Sequence, residues 1–504
     1  MDEKQLFLSL QNGSDVRGTA LASPGGAAVN LTENTVNRIA GSFVMWLAKH
    51  TGKNPADLKI GLGHDSRLTA APLAKAAING MAARGARVFY CGLASTPAMF
   101  MGTQFPETSF DGSIMLTASH LPKDRNGMKF FTAKAGLDKS DITEILENAP
   151  QLAYAENVSS VENSPLMELY AKSLRDQIIN GVNLGEKPLE GLRIAVDAGN
   201  GGGGFFVKNV LLPFGADTAG SQFLEPDGEF PNHQPNPENK EAMESIRRAT
   251  LQANADLGII FDTDVDRMSA VLPDGGEVSR NAIIAMMAAI LAPEYPGSTI
   301  VTDSITSDYL TEFLEGNLGL RHHRFKRGYK NVINEAVRLN GEGVITPLAI
   351  ETSGHGALLE NYFLDDGAYM AVRLIIAAAN AAKKGEKLSA LIRDLKTAPY
   401  ECELRMTIKC DGFQEYGMRV LKEFEEKARE EGLTVAESYE GVRLSFQDGW
   451  AMLRMSLHDP IMPFNAESGT RDGLLQILSQ AGGLLTGYCE LDTSPIDSIQ
   501  KKGE

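Results

Sequence analysis

Lys59-Ile60-Gly61-Leu62-Gly63 runs into His64-Asp65-Ser66-Arg67, and an alanine-rich stretch follows through Met81 before Arg87-Val88-Phe89-Tyr90. The first five residues read as a short buried strand and the next four as a polar turn. The alanine-rich stretch reads as an amphipathic helix, with a second strand behind it. The chain repeats this plan. Gly191-Leu192-Arg193-Ile194-Ala195-Val196 passes into Asp197-Ala198-Gly199-Asn200, and Asp256-Leu257-Gly258-Ile259-Ile260-Phe261 ends in an acidic turn. Thr299-Ile300-Val301-Thr302 opens another unit. Strands alternating with helices predict α/β domains with parallel or mixed sheets, whose ligand sites lie on loops beyond the strand ends. After Ala398-Pro399-Tyr400 the pattern changes to a helix over 412–432, strands near 442–446 and 450–454, and a helix over 472–481. The expected organisation is three similar α/β domains with mixed sheets (1–155, 156–296, 297–397), then a smaller α+β domain (398–504), around a central cleft.

With 504 residues the chain can bury several cores without disulfide or metal staples. Its 48 basic and 65 acidic residues give a net charge of −17, which argues against nucleic acid or an anionic membrane as partner. Four cysteines without a C-x-x-C pair fit reduced thiols rather than a disulfide framework or a zinc knuckle. The opening Met1-Asp2-Glu3-Lys4-Gln5 lacks a signal-peptide pattern. The apolar runs 282–292 and 368–382 read as buried helices, the first too short to span a bilayer and the second carrying Arg373. The expectation is a cytoplasmic protein.

Four stretches carry chemistry. Thr117-Ala118-Ser119-His120-Leu121-Pro122, followed by Asn126-Gly127-Met128-Lys129, puts a serine beside a histidine after an apolar strand. The missing G-x-S-x-G elbow argues against acyl transfer, and Ser119 read alone is a nucleophile or a turn serine. Asp262-Thr263-Asp264-Val265-Asp266-Arg267 places three carboxylates at alternate positions after a buried strand, so they can converge on one hard cation. A calcium EF-hand would need glycine at Arg267 and glutamate at Pro273, leaving a metal loop or a solvated acidic turn. Glu351-Thr352-Ser353-Gly354-His355-Gly356 can bind vicinal hydroxyls, with His355 available for proton transfer, or is a capping turn. Arg454-Met455-Ser456 ends a strand and is either a phosphate grip or a plain strand end. The glycine run 199–204 is not a dinucleotide fingerprint, because Asp217 comes too early to be its acidic partner. Ser468-Gly469-Thr470-Arg471 reads as a helix-start turn.

In this order the stretches resemble the α-D-phosphohexomutases, the phosphoglucomutase and phosphomannomutase relatives. Thr117 to Lys129 is similar to their phosphoserine loop, Asp262 to Arg267 to their D-G-D-x-D-R metal loop, and Glu351 to His355 to their sugar loop. Ser14-Asp15-Val16-Arg17-Gly18, Gly63 to Arg67, and Asp227-Gly228-Glu229-Phe230-Pro231 to Pro237 resemble further family segments. The resemblance implies reversible transfer of a phosphoryl group between O1 and O6 of a hexose phosphate, through phosphoserine at Ser119 and a bisphosphorylated sugar that also serves as activator. It implies one Mg²⁺ on Asp262, Asp264, Asp266 and Ser119. Catalytic roles fall to Ser119, His120, Arg17, Arg267, Lys129 and His355, with Lys129 expected to have a lowered pKa near cationic neighbours. Substrate contacts fall to Arg67, Tyr329, Lys330, Glu351, Ser353, Arg454, Ser456 and His458. Closure of the last domain would exclude water, and the molecule would be a monomer or homodimer.

Departures from the pattern are Thr263 for a metal-loop glycine, Ile350 for the glycine before Glu351, and Leu457, His458 and Asp459 for Gly, Thr and Glu. Pro463 stands where a second basic residue is common. The E-x-S-G-H form places mannose and glucose ahead of glucosamine. The alternatives are a phosphoglucosamine mutase, a phosphatase, or a catalytically weak sugar-phosphate-binding protein of the same fold.

Overall fold

The structure is a computed structural model that describes residues 2–156, 161–183, 185–456 and 459–503. By the density of backbone contacts the chain forms two compact units. One holds Met1–Ser279, Ser353–Ala357 and Leu364–Ala390, and the other Arg280–Thr352, Leu358–Phe363 and Leu391–Glu504.

The first unit opens on a seven-stranded mixed sheet. Its order is Gln11–Asn12, Asp15–Thr19, Arg125–Thr132, Gly112–Leu116, Lys59–His64, Arg87–Leu93 and Glu162–Asn163. Lys59–His64 runs parallel to both neighbours, and Gly112–Leu116 pairs antiparallel with Arg125–Thr132. Strands Lys59–His64 and Gly112–Leu116 are continuous apolar runs because helices cover the sheet. Helices Glu33–Thr51 and Ala70–Ala82 pack apolar faces into this core through Val36, Ile39, Phe43, Leu73 and Ala77. They approach closely at Gly80, where a Cβ would lie 1.9 Å from the Asn37 carbonyl oxygen.

A second mixed sheet in the same unit has the order Glu277–Val278, Met268–Val271, Leu257–Phe261, Ile194–Asp197. The last two strands are parallel and the others antiparallel, so the acidic loop after Phe261 is a tight return into Met268. Helix Lys240–Ala253 covers this sheet with Ala242, Met243 and Ile246, and the Asn239 side chain caps its start. The glycine run after Asp197 leads into a π-helical turn, Phe206–Leu211, rather than an ordinary helix. The apolar run 368–382 is a buried helix, Gly367–Lys383, capped by Asp366.

In the second unit, strands Arg321–Arg324, Thr299–Thr302 and Leu348–Ile350 lie side by side and parallel, with helix Tyr329–Gly341 behind them. The apolar run 282–292 forms helix Asn281–Leu291, buried on almost every face. A five-stranded antiparallel sheet follows, ordered Tyr400–Thr407, Ile461–Ser468, Gly449–Leu453, Val442–Phe446 and Thr434–Ala436. Helices Phe413–Glu430 and Arg471–Leu484 pack on it through Val420, Phe424, Ile477 and Leu478. Thr470 caps the second of these helices, as a helix-start turn requires. Among the described residues no helix is long and apolar enough to cross a membrane.

Candidate active site

Strand Gly112–Leu116 delivers Thr117-Ala118-Ser119 to its end, where Ser119 turns into the left-handed region at φ 49°. Serine rarely adopts that conformation without support. Here the Ser119 amide donates to Thr117 Oγ1 (2.9 Å), whose hydroxyl donates to buried Asp65 (2.7 Å). Arg67 completes the brace. Its Nε donates to Asp65 (3.1 Å), Nη1 to the carbonyls of Pro122 (2.7 Å) and Arg125 (2.8 Å), and Nη2 to those of Ser119 and Leu121 (both 2.6 Å). A guanidinium has five N–H groups, and all five are engaged, one by Asp65 and four by carbonyls of the loop. This corrects the expectation of a substrate contact: the two-residue spacing from Asp65 folds Arg67 beneath the serine loop and leaves no donor for a ligand. Arg17 acts similarly, donating to the Thr117 carbonyl and to Asp15 (both 2.8 Å).

The Ser119 hydroxyl is buried against the acidic loop. Its Oγ donates to Asp262 (3.0 Å), accepts from Arg267 Nη2 (3.3 Å) and lies 3.2 Å from His120 Nδ1. Burial, with Arg267 and Arg17 nearby, pulls the His120 pKa down to about 2, so its ring stays neutral and contacts the serine oxygen as a hydrogen-bond partner.

Asp262, Asp264 and Asp266 are all buried, and each offers an oxygen within 4.8 Å of the others. Asp264 Oδ1 and Asp266 Oδ1 have no hydrogen-bond partner among the described residues. Buried carboxylate oxygens without donors are costly, and a hard divalent cation is the group that three such oxygens fit. Burial raises the Asp262 pKa, and repulsion from Asp266 and Asp264 raises it further. Asp266 goes the other way: burial is outweighed by Lys129, His355 and Arg267. Thr263 does not disturb the loop, because the left-handed residue there is Val265 (φ 66°) rather than the position of the missing glycine.

Lys129 extends from strand Arg125–Thr132 and donates to Asp264 (3.1 Å) and Asp266. Burial alone would lower its pKa, but the two carboxylates carry it well above the ordinary value. That corrects the expected lowered pKa, since its nearest neighbours are anions. His355 Nδ1 pairs with Asp365, whose other oxygen accepts from the Gly356 amide (3.0 Å). Against its burial, Asp365 and Asp266 raise the His355 pKa to about 9. Asp365 escaped the sequence reading; its only signal was the acidic pair Asp365-Asp366 opening a helix.

The first unit therefore brings together Ser119, His120, Arg17, Arg267, Lys129, His355 and the three aspartates. Ser353 also belongs to it, and its buried Oγ has no partner among the described residues.

Residues 9–154, 169–275 and 279–398 match, in order, the domains described as phosphoglucomutase/phosphomannomutase, alpha/beta/alpha domain I, II and III. The chain belongs to the phosphoglucomutase/phosphomannomutase family. Its similarity to relatives of this family is spread over most of the chain. A phosphomannomutase/phosphoglucomutase of Pseudomonas aeruginosa is 28% identical over 83% of this chain and 85% of its own length. A phosphoglucomutase of Neisseria gonorrhoeae is 29% identical over 83% of this chain and 86% of its own. A phosphoglucomutase/phosphomannomutase family protein of Burkholderia thailandensis shares the fold at TM-score 0.78 and 23% identity, over 97% of this chain and 98% of that one.

The remaining residues carried by the resemblance to this family lie in the second unit. Glu351 is buried and accepts from the Gly328 amide (2.6 Å). Tyr329 and Lys330 open helix Tyr329–Gly341 and are half-buried. Arg454 is buried, its Nε has no partner among the described residues, and burial pulls its pKa down. Ser456 Oγ accepts from the Asp459 amide (3.2 Å). His458 and Leu457 lie outside the described residues.

Proposed function

We propose that the protein is a phosphohexomutase that moves a phosphoryl group reversibly between O1 and O6 of a hexose phosphate, with mannose and glucose phosphates as substrates and phosphoserine at Ser119 as the carrier. One observation carries the reading: the Ser119 hydroxyl lies 3.0 Å from Asp262 and 3.3 Å from Arg267, beside two carboxylates with bare buried oxygens. Phosphoryl transfer needs a positioned oxygen nucleophile and dense positive charge, with little covalent chemistry from the protein. Mg²⁺ held by Asp262, Asp264 and Asp266 would supply charge neutralisation at the phosphoryl oxygens.

The chain's own residues do the rest. With the bisphosphorylated sugar bound, Ser119 Oγ attacks phosphorus as its proton passes to Asp262, the carboxylate that its hydroxyl already faces (3.0 Å) and whose pKa is raised. His120 Nδ1, at 3.2 Å, holds the oxygen in line. The bond from phosphorus to the sugar oxygen breaks, and that oxygen takes a proton from His355, which is protonated at neutral pH. The opposite half-reaction reverses both transfers. Arg267 and Arg17 stabilise the charge on the moving group, and Lys129 balances the aspartates. In this reading Glu351 and Ser353 address O3 and O4 of the sugar. Arg454 and Ser456 hold the phosphate that is not moving, with Tyr329, Lys330 and His458 as further contacts. We place the domain boundaries near residues 155, 296 and 397.

The test is a coupled assay on glucose 1-phosphate, mannose 1-phosphate and glucosamine 1-phosphate with Mg²⁺ and a hexose bisphosphate activator. Turnover to the 6-phosphates is expected with the first two. Intact mass should show one phosphate on the wild type, removed by adding sugar phosphate, and none on Ser119→Ala. Comparable turnover by Ser119→Ala, or release of inorganic phosphate instead of a 6-phosphate, sinks the reading.

A further inference from the structure

We infer that Thr96 is a positioning residue for Asp264, fixing which oxygen of that carboxylate is offered to the cation. This rests on the reading of Asp262, Asp264 and Asp266 as metal ligands. Strand Arg87–Leu93 leaves the first sheet and turns at Ser95 into the short helix Thr96–Met101. Ser95 is the cap of that helix, its Oγ accepting from the Ala98 amide (3.2 Å). Thr96, the next residue, is therefore not needed for capping, and both its polar groups turn to the acidic loop. Its amide donates to the Asp264 carbonyl (2.9 Å) and its hydroxyl to Asp264 Oδ2 (2.5 Å).

Three features make this more than a packing contact. Thr96 and Asp264 are both buried, so no water competes for the bond. Oδ2 also accepts from Lys129 (3.1 Å) and is fully engaged, whereas Oδ1 has no partner and is the oxygen left for a ligand. Finally, the turn carrying Thr96 is wedged against the acidic loop on two sides. Gly202 donates to the Thr263 carbonyl (2.8 Å), and a Cβ on Gly202 would lie 3.1 Å from the Ala94 carbonyl oxygen. The turn after strand Arg87–Leu93 of the serine-bearing sheet thus sets the side-chain rotation of an aspartate on the neighbouring sheet. Groups behind a ligand typically change metal affinity about 10–100-fold when removed, because they hold the ligand's rotation and raise its basicity.

The experiment titrates Mn²⁺ alone into the dephosphorylated full-length protein, with free Mn²⁺ read by electron paramagnetic resonance. Melting in chelator checks that each variant is folded. Thr96→Val, which keeps the shape and deletes the hydroxyl, should bind Mn²⁺ about 10–100-fold more weakly than wild type. Thr96→Ser should keep the wild-type affinity. Thr96→Ala, which adds no bulk, replaces the valine variant should that fail to melt cooperatively. Wild-type affinity in Thr96→Val or Thr96→Ala, or a loss in Thr96→Ser equal to theirs, overturns the inference alone. A wild type that binds no Mn²⁺ overturns the metal reading and this inference with it.

Discussion

Ser119 can hold a left-handed backbone because Arg67 ties four carbonyls of its loop to one planar group. Lysine cannot reproduce a five-donor fork, so Arg67→Lys should let the serine oxygen drift by about 1 Å. Misplacement on that scale costs about 100-fold in rate. Steady-state kinetics should show the loss in kcat with KM little changed, since Arg67 has no donor left for substrate. His355 gives a pH prediction. Its pKa is raised from about 6.5 in the unfolded chain to about 9 in the folded one. The stability it contributes is fully present below about 6.5 and is lost as pH rises through about 9. Activity that needs its proton should fall along the same alkaline limb, and Asp365→Asn should move that limb to lower pH in a kcat profile. Neither Arg67 nor Lys129 could be assigned its true surroundings from sequence, because each depends on groups more than fifty residues away. By contrast Ser119, the three aspartates and His355 were legible, since each sits on a loop whose neighbours repeat a recognisable order.

At the scale of elements, periodicity worked where the pattern was long. Helices Asn281–Leu291, Gly367–Lys383 and Phe413–Glu430 lie where the apolar spacing puts them. It failed where an element is too short to show a period. Strand Glu162–Asn163 lies just past the domain limit expected at residue 155, and its two residues carry no alternation at all. The turn Phe206–Leu211 was likewise invisible, because a widened helical turn differs from an ordinary one only in its hydrogen-bond ring. Close helix approach was not read either, although it has a plain consequence. Gly80→Ala would put a methyl group into the Asn37 carbonyl, forcing Glu33–Thr51 and Ala70–Ala82 apart. Overpacking of that kind costs about 1–3 kcal/mol. A urea titration should show a lower midpoint at unchanged slope, with Mn²⁺ affinity intact.

For the molecule as a whole, the acid trio makes folding and ion binding one equilibrium. Mutual repulsion among buried carboxylates opposes the folded state, and an ion that binds only that state relieves it. At a concentration about 100 times its dissociation constant, Mg²⁺ should add about 2.7 kcal/mol of stability. Calorimetry should show the melting temperature rising with Mg²⁺, and Asp264→Asn should blunt the rise. The order in which the chain visits its two units has a different consequence. The first unit is assembled from three separate stretches, the later two being Ser353–Ala357 and Leu364–Ala390. No single cut releases it in one piece. A fragment ending at Ser279 keeps the serine and the aspartates but loses His355 and Asp365. Gene splitting, limited proteolysis or circular permutation would therefore have to respect the excursions over 280–352 and 358–363, and ribosomal synthesis must pass residue 365 before the His355–Asp365 pair exists.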